Sequence, residues 1–218
     1  MRKVVFILLF AFGALTANSQ ETFTDSKSID AAFNACIAMR DAVANKDSAA
    51  IKQSAIDLKA AGATNFSSLR CKDDSIASLN GHLVFDEAFA DSLAEGKDVY
   101  SKADDLNRST AHRGQTADGS ILTKTCFVKA GKSTKYSFAS KGHQELAVVA
   151  EAGGLVTMKV HVINAAGLDK RFDDTKNVKK GRPQRKTSFD LPTDRRNTVE
   201  LEIVNCGKKD CSFVVISN

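Results

Sequence analysis

The apolar residues of this 218-residue chain change their repeat near Gly119: before it they recur every three or four positions, and after it they alternate. The first repeat belongs to a helix face and the second to a strand face, so one type of secondary structure cannot serve the whole chain. The fold class expected is α+β in two parts, a small N-terminal helical domain followed by a C-terminal all-β sandwich or jelly roll. The helical domain is placed at 20–106, a polar linker with two glycines at 107–120, and the sandwich at 121–218.

In the first part Ile29, Ala32, Phe33, Cys36, Ile37 and Val43 lie at helical spacing, with Arg40 and Asp41 off the stripe. Asp47 is placed to cap a second helix whose apolar face is Ile51, Ala55 and Leu58, with Gly62 closing it. The two helices are expected to form a helical hairpin. Asn80-Gly81 between 75–79 and 82–85 predicts a small β-hairpin, because that dipeptide accepts the positive φ of a two-residue turn. A further helix is expected from Asp86, carrying Phe85, Phe89 and Leu93 on one side and interrupted at Gly96. No second copy of the helical pair appears at a fixed period, which excludes a solenoid.

Seven strands are expected after the linker, at 121–128, 135–138, 145–151, 155–164, 186–191, 198–204 and 212–217. Val160 and Val162, and then Val199, Leu201 and Ile203, alternate with polar residues as the inner face of a sandwich does.

Arg2 and Lys3, the apolar run Val4 to Leu15 and the small residues Ala17-Asn18-Ser19 read as a signal peptide over 1–19, cleaved before Gln20. Export to the periplasm, the cell surface or beyond permits disulfides among Cys36, Cys71, Cys126, Cys206 and Cys211. Cys206 and Cys211 flank a four-residue tip between apolar runs and are expected to be bonded across a hairpin. Cys36 with Cys71 is the second expected pair, and Cys126 a buried thiol.

The halves differ in charge. Residues 20–118 hold 11 Lys and Arg against 16 Asp and Glu, and residues 119–218 hold 18 against 10. Opposite net charges predict that the halves dock, with the stripe of Phe85 and Phe89 as contact. The basic excess concentrates between Leu168 and Arg196, where Lys179, Lys180, Arg182, Arg185 and Lys186 form a candidate site for phosphates, sulfates or carboxylates on a polymer. A solvated loop guarding a sheet edge is the alternative reading of the same residues. If the insert instead folds across the acidic half, its charges become internal counter-charges.

Asp169, Asp173 and Asp174 are close enough in sequence to suggest a Ca²⁺ site, but the spacing matches no EF-hand and Lys170 and Arg171 stand between them. None of His82, His112, His143 and His161 is at metal-ligand spacing from another, so neither metal nor cofactor is expected. Gly142-His143-Gln144-Glu145 is the best base-and-carboxylate candidate; phosphate loops and nucleophile elbows are absent.

The second part resembles the bacterial pre-peptidase C-terminal domain. The resemblance is carried by residues 127–138 (Phe127-Val128-Lys129-Ala130-Gly131-Lys132 onward), by Gly154 to Val162, and by Ser212-Phe213-Val214-Val215-Ile216 as closing strand. It implies a β-sandwich with a role in folding, targeting or substrate contact. With no Trp and only two Tyr, stacking platforms for sugars or bases are poorly supplied, which disfavours nucleic acid. The expected function is a secreted, non-catalytic binding module whose partner is a protein or a cell-surface component. A polyanion or glycan binder acting through 168–196 is the alternative, and an undetected hydrolase the third reading.

Overall fold

A computed structural model describes residues 28–72, 78–105, 120–163, 169–173 and 181–218, the segment 169–173 by its backbone alone. The expected signal peptide, nearly all of the linker, Asp73, Asp74, His112, Asp174, Lys179 and Lys180 lie outside the described residues. No helix among those described is long and apolar enough to cross a membrane.

Helices α1 (Asp30–Asn45) and α2 (Ser48–Ala60) form the expected helical hairpin. Asp47 caps α2 by accepting from the Ala50 amide at 3.0 Å, and Lys46 turns the chain in the left-handed region at φ 56°. Ile29, Ala32, Cys36, Ile51, Ala55 and Leu58 are buried as the spacing predicts. Arg40, placed off the stripe by its charge, is buried as well. Helix α3 (Glu87–Ala94) starts on the Asp86 side chain, which accepts from the Ala88 and Phe89 amides, and ends before Gly96 at φ 76°. Beyond Gly96 the chain turns helical again through a 3-10 turn at Tyr100–Lys102 into residues 103–105, with Val99 and Ala103 buried as a continued stripe requires.

The expected β-hairpin around Asn80-Gly81 is corrected. The turn exists, with Gly81 at φ 88°, but Leu83, Val84 and Phe85 carry no strand, and the arm at 73–77 lies outside the described residues. Side chains of the second half take the backbone donors a strand partner would have used: the Leu83 amide donates to Glu151 at 3.1 Å and the Phe85 amide to Thr125 at 2.9 Å.

Two five-stranded sheets form the β-sandwich. Sheet A runs β1 (Ala63–Asn65), β3 (Ile121–Val128), β10 (Cys211–Ser217), β5 (His143–Ala150), β8 (Gln184–Asp190). Sheet B runs β2 (Arg70–Cys71), β4 (Ser133–Ser140), β9 (Asn197–Asn205), β6 (Val156–Ile163), β7 (Asp169–Asp173). The first part of the chain thus supplies an edge strand to each sheet: β1 lies parallel to β3 and β2 antiparallel to β4. Three of these ten strands are missing from the sequence expectation. Strands β1 and β2 are too short for an alternation to register, and β7 lies inside the basic insert.

Two apolar cores follow from the layering. Between the sheets lie Phe66, Leu69, Tyr136, Phe138, Leu146, Val148, Leu201, Phe213 and Val215. On the other face of sheet A, Ile121, Ala147, Val149, Val214 and Ile216 pack against Met39, Leu58, Phe85 and Phe89 of the helical part. The stripe of Phe85 and Phe89 is therefore a docking contact, and the order of layers is helices, sheet A, sheet B.

The five cysteines are present as thiols in this structure, and what the topology corrects is the hairpin expected to carry Cys206 and Cys211. Strands β9 and β10 belong to different sheets, so residues 206–210 are an arch between layers rather than a hairpin; Cys206 is exposed and Cys211 buried. Cys36 is sealed in the helical layer while Cys71 sits on the far sheet.

Candidate functional site

Of the basic residues singled out in the sequence, Lys179 and Lys180 lie outside the described residues, and Arg182, Arg185 and Lys186 have three different surroundings. Arg182 is exposed and its backbone bridges that of Val156, whereas Arg185 is buried, paired in register with Val148 of the inter-sheet core. Lys186 reaches back to the acidic half: its ammonium lies 2.6 Å from Asp30 and 3.1 Å from Glu145. The second oxygen of Glu145 accepts from the Ile29 amide at 2.8 Å, at the start of α1. Beside it Arg40 donates to Gln184 of β8 at 2.6 Å. Lys186 is thus a counter-charge inside the fold.

This cluster makes stability depend on pH. Hydrogen bonds from Lys186 and Ser28 hold the Asp30 carboxyl below its ordinary value. Burial alone would raise the Glu145 carboxyl, but bonds from the Ile29 amide and from Lys186 bring it below as well. A carboxyl whose folded pKa is depressed stabilises the fold above its unfolded value, and that contribution is lost as pH falls through the folded one. Stability is therefore expected to decline below about pH 4.5, with Lys186→Met removing part of the decline. Urea unfolding at neutral and acid pH checks this, and identical declines for both proteins would disprove the coupling.

The Gly142–Glu145 run does not build a catalytic pair. His143 lies 2.7 Å from Asp190 at the exposed end of β5, while Glu145 is committed to α1 and Lys186. Nor do Asp169 and Asp173 share an ion. They are the two ends of β7, and a strand of that length holds their backbones about 13 Å apart. Among the described residues no group of three or more His, Cys, Asp or Glu is placed to hold a metal.

Arg40, Val43, Gly81, Leu83, Tyr100, Glu151 and Ala152 line a cleft of about 310 Å³ between the helical layer and sheet A. Glu151 is already saturated. One oxygen lies 2.7 Å from His82 Nδ1 and accepts from the Ser212 amide at 2.9 Å, and the other accepts from the Leu83 amide. Burial, and then the charge of Glu151, raise the Tyr100 phenol. The cleft is thus built around a structural carboxylate that holds two layers together.

The outer face of sheet B differs from every other strand face. The helices pack on sheet A, α1 over β5 and β10 and α2 over β1, and among the described residues no helix packs on sheet B. Register places Lys135, Glu202 and Lys159 in one row across β4, β9 and β6. Arg70, Ser137, Glu200 and His161 form the next, across β2, β4, β9 and β6. Lys72 pairs with Glu200 and holds its carboxyl below the ordinary range. His161 approaches Glu200 to 3.5 Å and Lys159 approaches Glu202 to 3.6 Å. On β2, β4, β9 and β6, with Lys72, four basic residues (Arg70, Lys72, Lys135, Lys159) stand against two carboxylates; β7 brings Asp173, Arg171 and Asp169 to register positions beside Lys159, His161 and Ile163, which leaves a net of +1. The outward positions of β4, β9 and β6 carry no Phe, Tyr or Trp; Ile163, 42% exposed, is the large apolar residue among them. The Lys and Glu that alternate with the inner residues of these strands are the sequence signal of this outer face.

No family model matches the chain, and no curated protein does. Similarities to solved structures are partial. The carbohydrate-binding module TmCBM61, in complex with β-1,4-galactotriose, is 10% identical with a TM-score of 0.32, over 71% of this chain and 90% of that one. Aeromonas hydrophila PliG, a periplasmic inhibitor of g-type lysozyme, is 12% identical with a TM-score of 0.30, over 48% of this chain and 91% of its own. The Yersinia pseudotuberculosis-derived mitogen is 11% identical with a TM-score of 0.31, over 45% and 84%.

Proposed function

We propose that this chain is a non-catalytic binding module, exported by its N-terminal segment, that engages an acidic protein surface through the outer face of sheet B. The observation that carries the reading is the contrast between the two sheets. Sheet A is covered on both faces, whereas sheet B presents rows of charge with a basic excess. A flat face with basic residues and no Phe, Tyr or Trp suits a protein bearing carboxylates better than a glycan, which such surfaces commonly hold by stacking on aromatic side chains. The resemblance to the pre-peptidase C-terminal domain points the same way, toward contact rather than reaction. Polyanion binding through the basic insert is weakened because Lys186 is engaged within the fold.

Binding of an oligoglutamate peptide at low salt tests this. The wild-type chain is expected to bind it in a salt-sensitive manner, and Lys135→Glu with Lys159→Glu to weaken binding by about tenfold or more. Changing Lys179, Lys180 and Arg182 to Gln is expected to leave it unchanged. Binding lost in the insert variant and kept in the face variant would overturn the assignment in favour of the insert, and absence of binding in the wild type would reject an acidic partner.

A further inference from the structure

The sandwich edge made by the first part of the chain brings two cysteines together from different sheets. In sheet B, Cys71 of β2 pairs with Tyr136 of β4, and antiparallel partners direct their side chains to the same side of the sheet. Tyr136 is buried and faces inward, with its ring 6.0 Å from Phe213 of β10. In sheet A, Cys126 of β3 faces the same inter-sheet core and is the register partner of Phe213. Cys126 and Tyr136 belong to the same buried cluster between the sheets, and Cys71 is the register neighbour of Tyr136. Since β1-β3 and β2-β4 are the corresponding edges of the two sheets, with β3 against β4, Cys71 and Cys126 lie at the same edge of the sandwich, one on each sheet.

We propose that Cys71 and Cys126 are the redox-active pair of this protein and close an inter-sheet disulfide that latches the N-terminal segment over the sandwich edge. The step needs a disulfide oxidant such as oxidised glutathione. Burial pushes the Cys126 thiol up to about 12, whereas Cys71 is exposed, so exchange starts at Cys71. Its thiolate attacks one sulfur of the oxidant and releases the first glutathione thiolate, leaving a mixed disulfide. The Cys126 sulfur then attacks Cys71, and its proton goes to the departing second glutathione. Two thiols have lost two electrons and two protons, and one oxidised glutathione has become two reduced ones. The closed bond encloses a loop from the end of β2 through all of α3 and into β3, so it restrains the unfolded chain over a long span.

The full chain, purified reduced, is treated with oxidised glutathione and its peptides are mapped without reduction. The expected product is a peptide pair joined through Cys71 and Cys126, with a thermal midpoint raised by roughly 10 °C. Cys126→Ser should stop at a mixed disulfide on Cys71, while Cys206→Ser should leave the bond unaffected. A wild-type map in which Cys71 bonds to Cys36, Cys206 or Cys211, or carries glutathione while Cys126 stays reduced, would overturn the proposal. That map requires no variant to fold.

Discussion

Glu151→Ala is expected to lower the free energy of unfolding by about 3 to 4 kcal/mol, because it leaves several buried donors without their acceptor. The Glu151 side chain is only 17% exposed and receives the Leu83 and Ser212 amides and His82. The Ser212 hydroxyl adds a bond to the Leu83 carbonyl at 2.7 Å. One carboxylate therefore ties the end of β5 and the start of β10 to the segment entering α3. His82→Ala should cost much less, since it removes one partner and leaves both amides satisfied. Urea unfolding of the two variants distinguishes them, and equal losses would mean that the His82 contact, rather than the amides, dominates.

Phe89→Ala is expected to cost about 3 to 5 kcal/mol, the range for removing a buried aromatic ring. Phe89 is fully buried, edge-on to Tyr100 at 5.5 Å. Its apolar core continues into Ile121, Val149, Val214 and Ile216 of sheet A, so the helical layer and the sheets should lose stability together. Helix and strand signals are expected to share one transition, displaced in the variant. Two separate transitions, with only the helical one displaced, would contradict the shared core.

What the sequence discloses depends on how many faces an element buries. Helices α1 and α2 each bury one stripe, and both are legible with the Asp47 cap. Strands β9 and β6 bury one face, and their alternation of Val, Leu and Ile with Glu, Lys and His marks both sides. Strands β5 and β10 bury both faces, which turns Leu146-Ala147-Val148-Val149-Ala150 and Phe213-Val214-Val215-Ile216 into continuous apolar runs. Such runs were a sign that something beyond the second sheet covers them, and the helical layer is that cover.

The remaining misreadings share a cause. Cys206 and Cys211 look like hairpin partners because they are near in sequence, yet the chain changes sheet between them. Lys186 looks like part of a free basic cluster because its neighbours are basic, yet its partners Asp30 and Glu145 are 156 and 41 positions away. Arg40 is polar by type and buried by place. In each case a contact between distant segments decides the outcome, and local pattern carries no trace of it.

Whether sheet B is the binding face is tested most directly by mapping amide chemical shifts of the full chain as an oligoglutamate peptide is added at low salt. The account predicts shifts concentrated on β4, β9 and β6, at Lys135, Lys159, His161 and Thr198, with β5 and β10 unperturbed beneath the helices. Shifts concentrated instead at Arg182, Arg195 and Arg196, or around Arg40 and Tyr100 in the cleft, would contradict it.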